Sequence, residues 1–197
     1  MAKRARILAE DLIAEGRFRL TRTRAEIEEA DGARRTVDHE IYHHKGAAAV
    51  LLYDPARAVT LLVKQFRLGA YLADGALETL EVCAGMLDGD DPEACVIREA
   101  MEETGVRIAS ARHAFDAYTS PGGVTEKLAC FVAPYGAADR VGPGGGVDAD
   151  EDIEIVEILF DEALAMIEND KIRDAKTIAL LLYAAAKDWF GAATARG

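Results

Sequence analysis

Residues 85–106 read GMLDGDDPEACVIREAMEETGV. Asp90 or Asp91 can accept hydrogen bonds from the first free amides of a helix. Pro92 suits its first turn, and Gly105 can take the left-handed conformation that ends it. The predicted helix is short, closed at both ends, and loaded with Glu99, Glu102 and Glu103 beside Arg98. Like charges three or four positions apart on a helix repel by about 0.2–0.5 kcal/mol per pair. At 100° per residue, Ala94, Ile97, Met101 and Thr104 share one stripe, expected to face the core. Glu99 and Glu103 then lie side by side on the opposite face, with Glu102 on their flank. A solvated acidic face accounts for most such clusters. The alternative that removes the repulsion is a hard divalent cation held by carboxylate oxygens.

The flanks set this helix among strands. AAAVLLYD (47–54) and AVTLLVKQF (58–66) are continuous apolar runs joined at Asp54-Pro55, the pattern of a buried sheet. LETLEVCAGML (77–87) reads as one more strand running into the glycine loop before the helix. VRIASARHAFDAY (106–118) and TEKLACFVAPY (125–135) are two strands around the loop TSPGGVTE. GAADRVGPGGGVDADED (136–152) combines glycine, proline and acid, and is expected to be a long exposed loop. IEIVEILF is a strand, Asp161 is expected to cap EALAMIEND, and Asp174 to cap the closing helix AKTIALLLYAAAKDWF, with Trp189 and Phe190 packing in the core. Before all this, residues 1–43 alternate polar and apolar, giving strands near 6–13, 17–28 and 33–43 with Asp31-Gly32 as a two-residue hairpin turn. A thin sheet of this kind must pack on something else. His43 and His44 are adjacent on a strand, so they point to opposite faces and do not share one ion easily; they suit a surface or an interface.

With 197 residues the chain can bury a core without staples. Its mean hydropathy of −0.01 is that of an ordinary globular protein. A net charge of −12 opposes nucleic acid and anionic membrane as partners, and no apolar stretch suits a signal peptide or a span. Cys83, Cys95 and Cys130 are odd in number and set in apolar runs. They are expected to be buried reduced thiols in a cytoplasmic protein rather than a disulfide or zinc framework.

The segment 85–106 resembles the signature of the Nudix hydrolases, Gly-x5-Glu-x7-Arg-Glu-apolar-x-Glu-Glu-x-Gly-apolar. Gly85, Arg98, Glu99, Ala100, Glu102, Glu103, Gly105 and Val106 supply most of it. Two departures stand out: the glycine lies one residue nearer the Arg-Glu pair, and Asp91 replaces the early glutamate. The shortened form resembles the GDP-mannose hydrolase branch, as do VKQFR (63–67), SPGGVTE (120–126), GGGVDADEDIE (144–154) and IRDAKTIALL (172–181). ADP-ribose pyrophosphatases share several of these features.

The resemblance implies an α/β (α+β) Nudix fold, a mixed β-sheet sandwiched between helices. An N-terminal antiparallel β-sheet subdomain (1–43), serving dimerisation and part of the substrate site, precedes a hydrolase domain (44–197). It implies a Mg2+-dependent (or Mn2+-dependent) homodimer that hydrolyses the diphosphate of a nucleotide sugar. The implied metal ligands are Glu99, Glu103, Glu151 and the carbonyl of Ala84, with Glu102 acting through water or a second metal. Arg98 is expected to orient the glutamates, and Glu126 to be the general base. Substrate contacts are implied at Arg67, Ala84, Gly85, Met86, Glu103, Glu126, Asp150, Glu151 and Lys176. Arg17, Asp38, His39 and Glu40 are implied near the nucleobase, one strand being lent by the partner subunit. Arg17 and the Asp38-His39 pair stand where the branch can use an aromatic residue and a basic pair. The rival from another class is a non-catalytic Nudix-fold module that senses a nucleotide.

Overall fold

The computed structural model describes residues 2–147, 152–187 and 189, which fall into two compact units. The first comprises residues up to Gly46 together with Tyr118–Lys127. Its sheet is a meander of β1 (Arg4–Glu15), β2 (Arg19–Glu28) and β3 (Arg34–Tyr42), in which β2 pairs antiparallel with both neighbours. The β2–β3 connection differs from the expected two-residue turn. Glu29 N–H donates to the Ala33 carbonyl (2.8 Å), leaving a three-residue loop, Ala30 to Gly32, in which Gly32 has φ 87°. Such loops place their left-handed residue last, and glycine takes that position without strain. In β1, an edge strand, the register slips at Leu8 and at Ile13, two bulges in the ladder with β2.

The second unit comprises Ala47–Ala117 and the residues from Leu128 onward. Its seven-stranded sheet runs β10-β5-β4-β9-β8, with β6 and β7 completing β5 and β4. The strands are β4 (Ala47–Asp54), β5 (Val59–Gln65), β6 (Thr79–Glu81), β7 (Cys83–Met86), β8 (Arg112–Tyr118), β9 (Lys127–Pro134) and β10 (Glu154–Leu159). β4 lies parallel to β9 and antiparallel to β5 and β7, so the sheet is mixed. The apolar runs of β4 and β5 are buried because helices cover both faces. On one face Cys95, Val96 and Ala100 of α2 (Pro92–Thr104) pack against Val50, Leu52, Leu61 and Val63. On the other, Phe160 and Ala163 of α3 (Phe160–Glu168) join Leu180, Leu181 and Ala184 of α4 (Ala175–Ala186) against Leu51, Leu62 and Val132. This is the α+β sandwich expected from the sequence.

Three local expectations are corrected. The strand 77–87 is two strands: it breaks at Val82, whose amide donates to Thr177 Oγ1 of α4 (2.8 Å), and changes partner from β5 to β4. A seven-residue helix, α1 (Leu68–Asp74), intervenes before it. Asp161 lies inside the first turn of α3 and caps nothing, whereas Asp174 does cap α4, accepting from Thr177 N (3.0 Å). Within the segment 106–118, strand structure begins only at Arg112. Trp189 stacks on Tyr53 with ring centroids 5.7 Å apart, while Phe190 lies outside the described residues.

Candidate active site

The break at Val82 matters because it aims consecutive strand residues at different partners. Glu81, closing β6, and Ala84 and Gly85, in β7, come to lie beside α2 and the start of α4. α2 is built as its sequence suggests: Asp91 caps it, accepting from Glu93 N (3.0 Å) and Ala94 N (3.2 Å), and Gly105 (φ 69°) ends it.

Its orientation is not the expected one. The buried face is Cys95, Val96, Ala100, Glu103 and Thr104, and Met101 is exposed. Glu103 is only 5% exposed and faces β7, accepting from the Ala84 amide at 3.3 Å. Glu99 packs directly over Gly85, where an added Cβ would fall 2.0 Å from Glu99 Oε1. The acidic face therefore turns inward. Two apolar stripes exist on this helix, and the one that includes the glutamates is the one the sheet covers.

The electrostatics follow. Burial, and then the Glu99 charge, push the Glu103 carboxyl up to about 8; hydrogen bonds from Cys83 and the Ala84 amide and the positive charge of Arg67 pull the other way. Burial likewise drives the Cys83 thiol well up, and all three cysteines are buried and unbridged. Outside the pair, Arg98 Nη1 lies 2.9 Å from both Glu99 Oε1 and Glu102 Oε2. Glu102 is thus held on the flank by Arg98.

Glu81 is a feature that the sequence does not advertise. It is buried, and both its oxygens are held by Arg67 (Nε–Oε1 2.8 Å, Nη2–Oε2 2.9 Å) while Lys176 Nζ donates to Oε2 (2.5 Å). Burial raises its pKa, but Arg67 and Lys176 override this and bring it down to about 2. Glu81 is one of two acids, with Glu78, in the stretch 77–87, and one of its partners is 95 residues away, so only the fold reveals it. Arg67 and Lys176 also line an open cavity of about 650 Å³ with Ala70, Thr79 and Arg173. Arg67 feels the charge of Glu103, which links this cavity to the glutamate pair.

The glycine segment after Val141 is an exposed loop, as expected, and it is also bonded to α2. Gly145 N–H donates to the Glu103 carbonyl (2.8 Å) and Gly146 N–H to that of Glu102 (3.1 Å), closing the last turn of α2. Gly144, at φ 65°, leaves no room for a side chain, since a Cβ would meet Glu103 O at 2.7 Å. Asp150 and Glu151 lie outside the described residues.

In the first unit, Asp38 accepts from Arg24 Nε (2.9 Å), Glu40 from Arg22 Nη2 (3.4 Å), and His39 pairs in register with Thr23. The Arg17 guanidinium sits 5.9 Å over the Phe18 ring. Glu126 is held by His44, with Nδ1 2.9 Å from Oε1, while His43 Nε2 is 2.8 Å from Thr21 Oγ1. β3 ends at Tyr42, so the two histidines lie past the strand and not on it as expected, and each has its own partner.

Among the described residues no three His, Cys, Asp or Glu side chains converge on one point. The donor set in place is two carboxylates, Glu99 and Glu103, and the Ala84 carbonyl, which leaves β7 on the same edge as the amide that Glu103 accepts. All are hard oxygens. A carboxyl raised to about 8 by burial and a like charge is stabilised as the anion once a cation is supplied, so the residues fit a small divalent ion.

This chain belongs to the Nudix family: residues 43–181 match the NUDIX domain. Members of that family generally use a divalent metal. Among curated relatives, the chain is 41% identical over 184 residues to the GDP-mannose pyrophosphatase of Cronobacter sakazakii, covering 92% of this chain and 95% of that one. It is 40% identical over 186 residues to the protein of that name from Klebsiella pneumoniae (93% and 92% covered) and 37% over 184 residues to one from Escherichia coli (93% and 96%). A solved ADP compounds hydrolase superposes with a TM-score of 0.73 over 93% of this chain and 94% of that one; at 17% identity, it speaks for the fold.

Proposed function

We propose that this protein is a nucleotide-sugar pyrophosphatase that hydrolyses GDP-mannose to GMP and mannose 1-phosphate with Mg2+, or Mn2+ in its place. The observation that carries this reading is the inward-turned pair Glu99 and Glu103 over Gly85, with Glu103 raised to about 8. The full-length similarity to proteins of that name supports the substrate. The cation, held by Glu99, Glu103, Ala84 O and Glu151, would neutralise the diphosphate oxygens as charge develops on them. Glu126 takes a proton from the attacking water, whose oxygen joins one phosphorus while the bridging oxygen leaves with the other. Arg98 holds Glu99 and Glu102 in place. Arg67 and Lys176 face the substrate from the wall of the 650 Å³ cavity, and Glu81 keeps both cations oriented there. Gly85 and Met86 line the approach, with Asp150 and Glu151 as further contacts.

The N-terminal sheet, with Arg17, Asp38, His39 and Glu40, serves the base and the dimer. Ile7, Leu8, Leu12 and Ile13 are exposed on edge strand β1, an apolar surface that a second copy would cover. Light scattering at micromolar concentration tests this, a monomer refuting it. No helix among the described residues is long and apolar enough to cross a membrane.

A panel of sugar nucleotides with Mg2+ tests the substrate. GDP-mannose should be turned over best, and turnover of ADP-ribose to AMP and ribose 5-phosphate far above it would overturn the assignment. That runner-up is favoured by one observation: Asp38 and Glu40 are already ion-paired with Arg24 and Arg22, an unusual start for guanine recognition. A nucleotide-sensing module without catalysis predicts that Glu103→Gln leaves ligand binding intact and that no substrate is cleaved.

A further inference from the structure

His44 lies two residues beyond the end of β3, where the loop 119–126 is bonded to the chain. Tyr42 N–H donates to the Gly123 carbonyl (2.7 Å), Thr125 N–H returns to the Tyr42 carbonyl (3.1 Å), and Thr125 Oγ1 donates to the His44 carbonyl (2.8 Å). The backbone on both sides of the His44–Glu126 contact is therefore fixed. The imidazole is fixed as well, since its ring lies 4.2 Å from that of Phe18, with Tyr42 6.3 Å away on the same cluster. Its Nδ1 faces two oxygens, the Lys45 carbonyl at 2.9 Å and Glu126 Oε1 at 2.9 Å. With Glu126 ionised, as a base must be, both oxygens are acceptors, so Nδ1 carries a hydrogen that lies between them, bonded to the Lys45 carbonyl and shared with Glu126 Oε1 at ion-pair distance.

We propose that His44 is the positioning residue of Glu126: its Nδ1–H anchors Oε1 and leaves Oε2 to accept the proton of the attacking water. The inference rests on the reading of Glu126 as general base, and adds the group that orients it. A catalytic base held by a third residue is the same division of labour found wherever a side chain must present one lone pair in one direction. Without the anchor, the two-fold carboxylate rotor samples orientations in which neither oxygen faces the water. His44 touches neither substrate nor cation in this scheme.

Four variants test it, assayed on GDP-mannose, or on ADP-ribose if that is the better substrate. Glu126→Gln removes the base and should lower kcat by about 10²–10⁴-fold. His44→Phe keeps the ring against Phe18 but removes the donor, and should lower kcat about 10-fold with KM and melting temperature near those of the parent, a fraction of what the base itself contributes. His44→Asn, whose amide nitrogen takes the place of Nδ1, should recover most of kcat. In the double variant His44→Phe/Glu126→Gln the first change should add nothing to the second. Nitrogen NMR of His44 should show a protonated Nδ1 whose signal moves in Glu126→Gln. If Glu126→Gln retains activity, the assignment of the base falls, and the positioning role falls with it. If Glu126→Gln is dead while His44→Phe is fully active, or its loss multiplies with that of Glu126→Gln, the positioning role alone is wrong. Equal loss of kcat in His44→Phe and His44→Asn also refutes it.

Discussion

Glu103 links stability, pH and cation in a way that can be measured without any substrate. Its carboxyl titrates at about 8 in the folded protein against an ordinary 4.5. The folded state therefore holds a proton that the unfolded chain releases, and stability falls as pH rises from 4.5 through 8. The full span is up to about 5 kcal/mol at roughly 1.4 kcal/mol per unit, a large share of a typical domain's stability. Between pH 6 and pH 8 the same two values give a loss of about 2 kcal/mol, which for a chain of this size is about 4–8 °C in Tm. The assay is thermal unfolding in EDTA across that range, beside Glu103→Gln, which carries no titrating group there and should show a shallower decline. If Glu103 is a ligand of the proposed cation, Mg2+ would bind the anion, so the Tm it restores should grow with pH, and its binding at pH 7 should release about 0.9 proton. A parent protein whose Tm in EDTA is flat from pH 6 to 8, matching Glu103→Gln, would show that Glu103 is ionised without help, and the physical case for the cation would fail.

Gly85→Ala drives a Cβ to 2.0 Å from Glu99 Oε1, the mobile end of a side chain, so the fold should lose no more than about 1–2 kcal/mol. The cost should appear in the divalent-ion affinity, reduced about tenfold or more in calorimetric titration because Glu99 must leave its place. Gly144→Ala meets the backbone of Glu103 and Thr104 at 2.6–2.7 Å with φ 65°; a loss of about 2–4 kcal/mol, roughly 5–15 °C in Tm, is expected from denaturation. Glu81, lowered to about 2, contributes stability present above pH 4.5 and lost as pH falls through 2; Glu81→Gln should flatten that acid limb by about 2 kcal/mol, allowing for screening at the half-exposed Arg67. Glu99→Gln should cost about 10²–10³-fold in kcat at fixed Mg2+, and parent-like turnover would remove it from the ligand set.

What the sequence discloses and what it hides divide along a physical line. β4 and β5 are legible because an eight-residue apolar run has few ways to hide from water, and α2 and α4 because Asp91, Gly105 and Asp174 mark helix ends through bonds to their own backbone. These are local rules. The three-residue turn at Ala30–Gly32 escapes them by one position, since Asp31-Gly32 suits either loop length until the strand register decides. α1 has seven residues, none of them buried, and so no periodic signal. Glu81 depends on Lys176, far along the chain, and GPGGG reads as slack until the carbonyls of Glu102 and Glu103 are known to need donors. The face of α2 is the instructive failure. A helical wheel assigns charge to solvent because an isolated carboxylate is costly to bury. On that rule alone Met101 goes inside and Glu103 outside, and the structure has the reverse. The rule itself holds, and the raised pKa of Glu103 is its signature. What the wheel omits is any charge that would make the inward placement favourable; on the proposed reading a divalent cation supplies it, and the one segment that local physics misorients is then also the segment that marks the site.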